Sequence, residues 1–222
     1  MARTDLFLHE ELMLLSLKDA GGTVVAGTHY TFAIGGAVLA ELLMSGRIDT
    51  KAGKKKDKVQ LLDTKPYGDP ILDEVLEKLA VAKRPRSMQD WVTVVANTKE
   101  LKHRVAKQLC RRGILRTDED KVLWIFTRKI YPELDPGPER ELIARLESVI
   151  FEGADPDPRT AVLIALAHHS RVLLAVFDKK RLKAQKGRIK SISEGSSTAQ
   201  ATEAAIEAMQ AAVMAATMVA TM

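Results

Sequence analysis

Apolar residues recur along most of this chain three or four positions apart, the spacing of one face of an α-helix, and only two stretches shorten to the pattern of a strand. Leu8, Leu12 and Leu15 open the first helix, which Lys18-Asp19-Ala20-Gly21-Gly22 stops. Ile34, Val38, Glu41 and Leu42 carry a second as far as Gly46, where glycine suits a left-handed C-terminal cap. Between Arg47 and Asp63, two short extended stretches flank Lys51-Ala52-Gly53-Lys54-Lys55-Lys56-Asp57-Lys58, a hairpin with a basic, solvated tip. Asp69-Pro70 sets a capping carboxylate before a first-turn proline and starts a helix with Ile71, Val75 and Leu79 inward. Ser87-Met88-Gln89-Asp90 resembles a capping box for the fourth helix. Thr98 is the expected cap of the fifth, which turns Leu101, Val105 and Leu109 inward before Gly113.

In the second half, Pro136 to Gly153 carries a helix with Leu142, Leu146, Val149 and Ile150 on one face. Asp157-Pro158 opens another that takes in Val162, Ala165, Leu166 and Val172, and Asp178 to Lys190 reads as one basic surface helix. Glu194-Gly195-Ser196-Ser197-Thr198 is a loop before an Ala/Met-rich terminal helix over 199–222. Met209, Met214 and Met218 suit core packing there, since methionine fills irregular gaps. Glu203, Glu207 and the lack of a basic face argue against its lying on a membrane. The expected fold is therefore mainly α: a single helical-core domain over 1–222, with short peripheral β-hairpins, one of them hydrophobic.

That hydrophobic hairpin breaks the pattern. Leu123-Trp124-Ile125-Phe126 follows Arg116-Thr117-Asp118-Glu119-Asp120-Lys121 and precedes Thr127-Arg128-Lys129, so four apolar residues sit at a polar turn with a basic outgoing strand. Each aromatic carries about 150–250 Å² of apolar surface, and leaving it in water is costly. Either the strand packs on its own domain or something else covers it.

Charge narrows the choice of partner. The 222 residues carry a net charge of +5 and a pI near 9.3, which favours anionic partners such as phospholipid or nucleic acid. Cys110 is the only cysteine, which excludes an internal disulfide and suits a reducing, cytosolic setting. Acidic residues within Leu6-Phe7-Leu8-His9-Glu10-Glu11-Leu12 argue against a signal peptide, and Ala2 excludes an N-myristoyl anchor. No apolar run approaches the roughly 18 residues that cross a bilayer, so membrane binding would be peripheral.

Catalytic chemistry is weakly represented, and no cofactor or metal is implied. His9-Glu10-Glu11 lacks the second histidine of a zinc-protease helix, and the adjacent His168 and His169 point about 100° apart, so they read as satisfied or surface histidines. Gly35-Gly36 lies in an apolar helix, where close helix packing explains it better than a phosphate loop. Glu41, Asp73 and Glu74 sit among apolar neighbours and read as structural ion-pair partners. The chain reads as a binding protein, not an enzyme.

Two binding modes compete for the middle of the chain. Helices near 70–80, 87–96 and 99–112 followed by a hairpin over 115–130 have the order of a winged helix, with Lys99, Lys102, His103, Lys107, Arg111 and Arg112 as its basic surface. A nucleic-acid wing carries Lys or Arg at its tip, however, whereas Leu123-Trp124-Ile125-Phe126 suits acyl chains beneath an anionic headgroup. A soluble adaptor, with the hairpin at a protein interface, is a further alternative.

Several stretches stand out together: Leu8-His9-Glu10-Glu11-Leu12-Met13-Leu14-Leu15-Ser16-Leu17-Lys18-Asp19, Glu41-Leu42-Leu43-Met44-Ser45-Gly46-Arg47-Ile48 and Gly68-Asp69-Pro70-Ile71-Leu72-Asp73-Glu74-Val75-Leu76, then Arg104-Val105-Ala106-Lys107-Gln108-Leu109 with Gly113-Ile114-Leu115, and Leu163-Ile164-Ala165-Leu166-Ala167-His168. In this order they resemble the Golgi phosphoprotein 3 family of peripheral, phosphatidylinositol 4-phosphate-binding proteins. The resemblance implies an all-helical core with peripheral hairpins, a hairpin that inserts Leu123, Trp124, Ile125 and Phe126 into a bilayer, and a headgroup site at Lys99 and Lys102. From their place in the chain, both lysines are expected to be exposed in the first turn of their helix. In eukaryotic members it also implies an adaptor for membrane-protein cargo on the cytosolic face of the Golgi. The family's pocket uses a Trp and an Arg where this chain has Ala26 and Gly35, and arginines where it has Lys99 and Lys102. Lysine keeps the charge but not the bidentate fork, so general anionic-lipid binding is expected over strict selectivity. Oligomeric state is left open by the sequence, and nucleic acid is the disfavoured partner.

Overall fold

A computed structural model describes residues 6–17, 21–51, 58–122 and 126–194 of the chain, with only the backbone described for 121, 122 and 126. The apolar tip Leu123-Trp124-Ile125, the Phe126 side chain, the basic tip Lys54-Lys55-Lys56 and the terminal segment 199–222 lie outside that description. The fold is mainly α. The order is α1 (Leu8–Ser16), α2 (Tyr30–Met44), β1 (Ile48–Lys51), β2 (Lys58–Leu61), α3 (Pro70–Ala80), α4 (Met88–Ala96), α5 (Leu101–Arg111), β3 (Asp118–Val122), β4 (Phe126–Ile130), α6 (Gly137–Phe151), α7 (Pro158–His169), α8 (Leu173–Val176), α9 (Lys179–Ala184) and α10 (Lys186–Ser193).

α1 is the axis of the molecule. All nine of its residues are buried, and α2, α5, α6, α7 and α8 pack around it. A helix buried on every side would ordinarily be wholly apolar, yet this one carries His9, Glu10 and Glu11. Each carboxylate is met by a guanidinium from far along the chain: Arg112 Nη1 lies 2.7 Å from Glu10 and Arg145 Nη2 2.7 Å from Glu11. Arg159 bridges α1 to α2, with Nη1 3.0 Å from Glu41 and Nε 3.7 Å from Glu11. Glu41 also accepts the Leu8 backbone N–H at 3.0 Å. Burial nonetheless pushes the Glu11 carboxyl above its ordinary pKa, with Arg145 and Arg159 opposing the shift. Glu41 is thus a structural ion-pair partner as its sequence setting implies, and so is Glu74, held by Lys78 at 2.6 Å and Arg104 at 2.5 Å. Asp73 differs. It accepts the backbone N–H groups of Tyr67 and Gly68, tying down the entry to α3.

Local signals fix most helix ends. Asp69 accepts from Ile71 and Leu72 N–H at 2.9 Å each, Ser87 and Asp90 form the reciprocal box, and Asp157 accepts from Thr160 N–H at 3.0 Å. Gly46 holds φ at +68°, letting Arg47 N–H reach Leu42 O at 2.9 Å and close α2. Gly35 is a packing residue: a Cβ there would lie 2.8 Å from Val92 O, so α2 rests directly on the α4 backbone. Trp91 of α4 is 3% exposed beneath the Arg86 guanidinium.

Three boundaries differ from the sequence expectation. Glu100, in the left-handed region at φ +56°, precedes α5, while the Thr98 hydroxyl donates back to Val94 O instead of capping. Val172 lies beyond α7, because Arg171 turns the chain at φ +65°. The basic segment 178–190 is two helices hinged at Gln185, with Leu182 and Ile189 buried, and not one surface helix.

Both hairpins form. β1 pairs antiparallel with β2, and β3 with β4 in the register Asp118↔Ile130 to Val122↔Phe126. Beneath the second, Leu115 bridges Glu133, and Arg116 N–H donates to Pro132 O at 2.9 Å. Among the described residues no helix is long and apolar enough to cross a membrane.

Candidate functional site

The site grows from the start of α5 and the hairpin that follows it. α5 buries Leu101, Val105, Ala106 and Leu109 against the core, with α1 its main neighbour, which leaves its first turn and outer face to solvent. No side chain caps this start. The backbone N–H groups of Lys102 and His103 have no acceptor among the described residues, so they and the positive end of the helix dipole are open to an anion.

Lys99 stands in the turn before α5 and is exposed, while Lys102 sits at its second position, so the structure brings both to the same helix end. The sequence expectation has both exposed in the first turn, but Lys99 precedes the helix and Lys102 is half-buried. The cause is β4. Burial, and then the nearby Arg128 guanidinium, hold the Lys102 ammonium below its ordinary pKa. Lys99, Lys102, Lys107 and Lys129 form no ion pair with a carboxylate among the described residues.

The hairpin's strands are electrostatically matched. Arg128 donates from Nε and Nη2 to Asp120 Oδ2 at 3.0 and 2.6 Å, and Lys129 stands in register with Glu119. The basic outgoing strand is therefore partly neutralised by the acidic incoming one, and Arg128 is a strand clamp more than a free cation.

His103 is also more than a cation. Burial, and then the Lys102 charge, hold its imidazole below the ordinary pKa; Lys129 and Lys107 add to this, against Glu100. Its Nδ1 shares a 2.8 Å hydrogen bond with the hydroxyl of Tyr131, whose ring is fully buried. Tyr131 N–H in turn donates to Gly22 O at 2.9 Å, and Gly22 fits only because it is glycine: φ is +54°, and a Cβ would lie 2.3 Å from Pro132 N. Through Tyr131 and Gly22, the hairpin base is locked both to α5 and to the loop after α1. An aromatic at the end of a strand and a glycine pair that reads as a helix stop gave no sign of this in the sequence.

Elsewhere the proposed chemistry resolves into structure. His9 is fully buried, stacked on Phe7 with ring centroids 5.6 Å apart, and its Nε2 is 3.5 Å from Asp69 Oδ2. Burial works against the Asp69 charge, yet the His9 contact and the N–H groups of Leu72 and Ile71 hold its pKa below the ordinary value. Among the described residues no group of three His, Cys, Asp or Glu could hold a metal ion. α3, α4 and α5 do follow one another as in a winged helix, but α4 packs principally on α2 and α5 on α1, so the trio is part of the larger helical body.

Compared with known proteins, residues 8–212 match the family described as Golgi phosphoprotein 3 (GPP34). Among curated proteins, the chain is similar to vacuolar protein sorting-associated protein 74 of Eremothecium gossypii, at 26% identity over 205 residues. The match covers 78% of this chain and 61% of that protein, so the chain spans about three fifths of its relative's length.

Proposed function

Since the chain belongs to the Golgi phosphoprotein 3 family, we propose that it is a non-catalytic, peripheral membrane protein that recognises anionic phospholipid headgroups at the start of α5. The headgroup phosphate lies against Lys99, Lys102 and the open N–H groups of α5, while Leu123, Trp124, Ile125 and Phe126 enter the bilayer beside it. The observation that carries this reading is the α5 terminus without a side-chain cap, beside lysines that have no carboxylate partner among the described residues. Charged groups are normally paired as they leave water, and a half-buried lysine whose pKa is depressed by burial and a like charge marks a place that an anion would stabilise. The relative's name speaks of vacuolar protein sorting; by extension, the bound protein sorts membrane-protein cargo on the cytosolic face of the Golgi, or of another membrane in a cell without one.

Recognition here rests on charge more than on shape. The family's arginine position holds Gly35, where even a Cβ would strike Val92 O, and its tryptophan position holds the exposed Ala26. With lysines in place of bidentate arginines, phosphatidylinositol 4-phosphate has only a modest advantage over other anionic headgroups.

Flotation with vesicles containing phosphatidylinositol 4-phosphate, phosphatidylserine or phosphatidylcholine alone tests the proposal. The wild type floats with both anionic compositions, and Lys99→Glu/Lys102→Glu with neither, at unchanged circular dichroism. A folded double variant that still floats at low salt would place the headgroup elsewhere. Duplex DNA binding at physiological salt, without flotation, would make the winged-helix reading the better one.

A further inference from the structure

A second cationic surface lies away from the α5 terminus, where α7 ends. Arg171, held at φ +65° in a region that glycine or asparagine usually takes, reverses the chain between α7 and α8. The end of α7 with α8, α9 and the start of α10 then lines a groove of about 420 Å³. Its apolar floor consists of Leu173 and Leu182, both buried, and Leu174, which is 47% exposed. Around that floor stand Arg171, Lys179, Lys183 and Lys186, together with His168 and His169, and among the described residues no acidic side chain lines it.

The pairing of the neighbouring charges sharpens the point. On the same helices Arg181 pairs with Glu147 at 3.1 Å and Lys190 with Glu194 at 3.6 Å. Arg171, Lys179, Lys183 and Lys186, all exposed, have no carboxylate partner among the described residues. None of the four cations that line the groove has an ion-pair partner among the described residues. The His168 and His169 rings meet edge-on with centroids 5.3 Å apart, and burial keeps both below the ordinary imidazole pKa, the neighbouring ring adding to this for His168. At neutral pH they therefore offer neutral ring nitrogens beside the four cations.

We propose that this groove is a separate anion site for a phosphate group carried on an apolar body. The phosphate meets Arg171 and the three lysines, and the apolar part covers Leu174 and the floor beneath it. Several unpaired cations within one groove fit a multiply charged oxyanion better than a single carboxylate, and the arginine fork matches phosphate geometry. Among the described residues no Phe, Tyr or Trp lines the groove to stack a nucleobase, which disfavours a nucleotide. The site does not depend on the α5 reading, from which its test is kept distinct.

The probes are dihexanoyl phosphatidic acid, a water-soluble phosphate monoester with short acyl chains, and inorganic phosphate. The readout is the imidazole resonances of His168 and His169. Saturable shifts are expected with the lipid, at affinity well above that for inorganic phosphate. Arg171→Gly/Lys183→Gln should weaken the lipid about tenfold or more, the loss expected on removing two charge-assisted contacts. Glycine suits the backbone at 171, so this variant keeps its fold; Lys183→Gln/Lys186→Gln is the companion that leaves the turn untouched. Lys99→Glu/Lys102→Glu should shift as wild type does. Flotation with phosphatidic acid vesicles then identifies the source of the phosphate: loss in the groove variants names bilayer lipid, and retention names a soluble phosphate ester. The proposal is overturned by absent shifts, by equal affinity for inorganic phosphate, or by loss of the shifts in the α5 variant alone.

Discussion

Charge is treated in opposite ways around α1 and at the start of α5. Around α1, Glu10, Glu11 and Glu41 are buried and each meets a guanidinium, so charge is desolvated only where it is matched. At α5, Lys99, Lys102, Lys107 and Lys129 form no ion pair with a carboxylate among the described residues, and no described side chain caps the helix start. The first arrangement holds the fold together, and the second is where the proposed anionic headgroup would sit. Removing charge from the first should therefore cost stability and leave binding alone in whatever still folds. Removing it from the second should do the reverse.

The largest effect is expected from Arg159→Met, which strands Glu41 and weakens the hold on Glu11. Breaking a buried pair from one side costs about 3–5 kcal/mol, and urea unfolding should show it as a drop in midpoint at unchanged slope. Next comes Gly35→Ala, which tests the α2–α4 contact rather than charge. Its methyl meets the Val92 backbone carbonyl at 2.8 Å and should cost about 1–3 kcal/mol. A neutral result would show that the two helices can separate.

A smaller effect belongs to pH. The Asp69 carboxyl has a folded pKa below its ordinary 3.8, so its contribution is fully present above that value and is lost as pH falls through the folded pKa. Glu11 runs the other way: with its folded pKa above the ordinary 4.5, protonation on acidification relieves the fold. Thermal melts of Asp69→Asn should start about 1 kcal/mol less stable at neutral pH and lose less below about pH 4 than the wild type. Parallel acid limbs would remove Asp69 from the account. Smallest of all is the stability change in Lys99→Glu/Lys102→Glu, within about 0.5 kcal/mol, because both changes relieve repulsion among cations. That variant should instead lose vesicle binding, which completes the contrast with Arg159→Met.

Much of the fold is legible because its determinants are local. Asp69-Pro70, Ser87 with Asp90, Asp157-Pro158 and Gly46 each set a helix end within a few residues, and the structure bears them out. What is not legible depends on partners far along the chain. Nothing near Glu10 and Glu11 shows that they are buried, since Arg112 and Arg145 stand 102 and 134 residues away. Left-handed residues without glycine hide in the same way: Glu100 delays the start of α5 past Thr98, and Arg171 ends α7 before Val172. At the candidate site, the convergence of Lys99 and Lys102 follows from their spacing on one helix end. The half-burial of Lys102 shows only in the folded chain, the Asp120–Arg128 clamp needs β3 paired with β4, and the Gly22–Tyr131–His103 chain needs the hairpin base docked on the helical body.

The most direct test of membrane engagement is the emission of Trp124 in a Trp91→Phe background, which removes the buried indole of α4 and leaves one reporter on the apolar tip. Adding anionic vesicles should shift that emission to the blue as the ring passes from water into hydrocarbon, and vesicles of phosphatidylcholine alone should not. An unshifted spectrum at vesicle concentrations that float the protein would contradict the account, because binding would then proceed with the tip still in water.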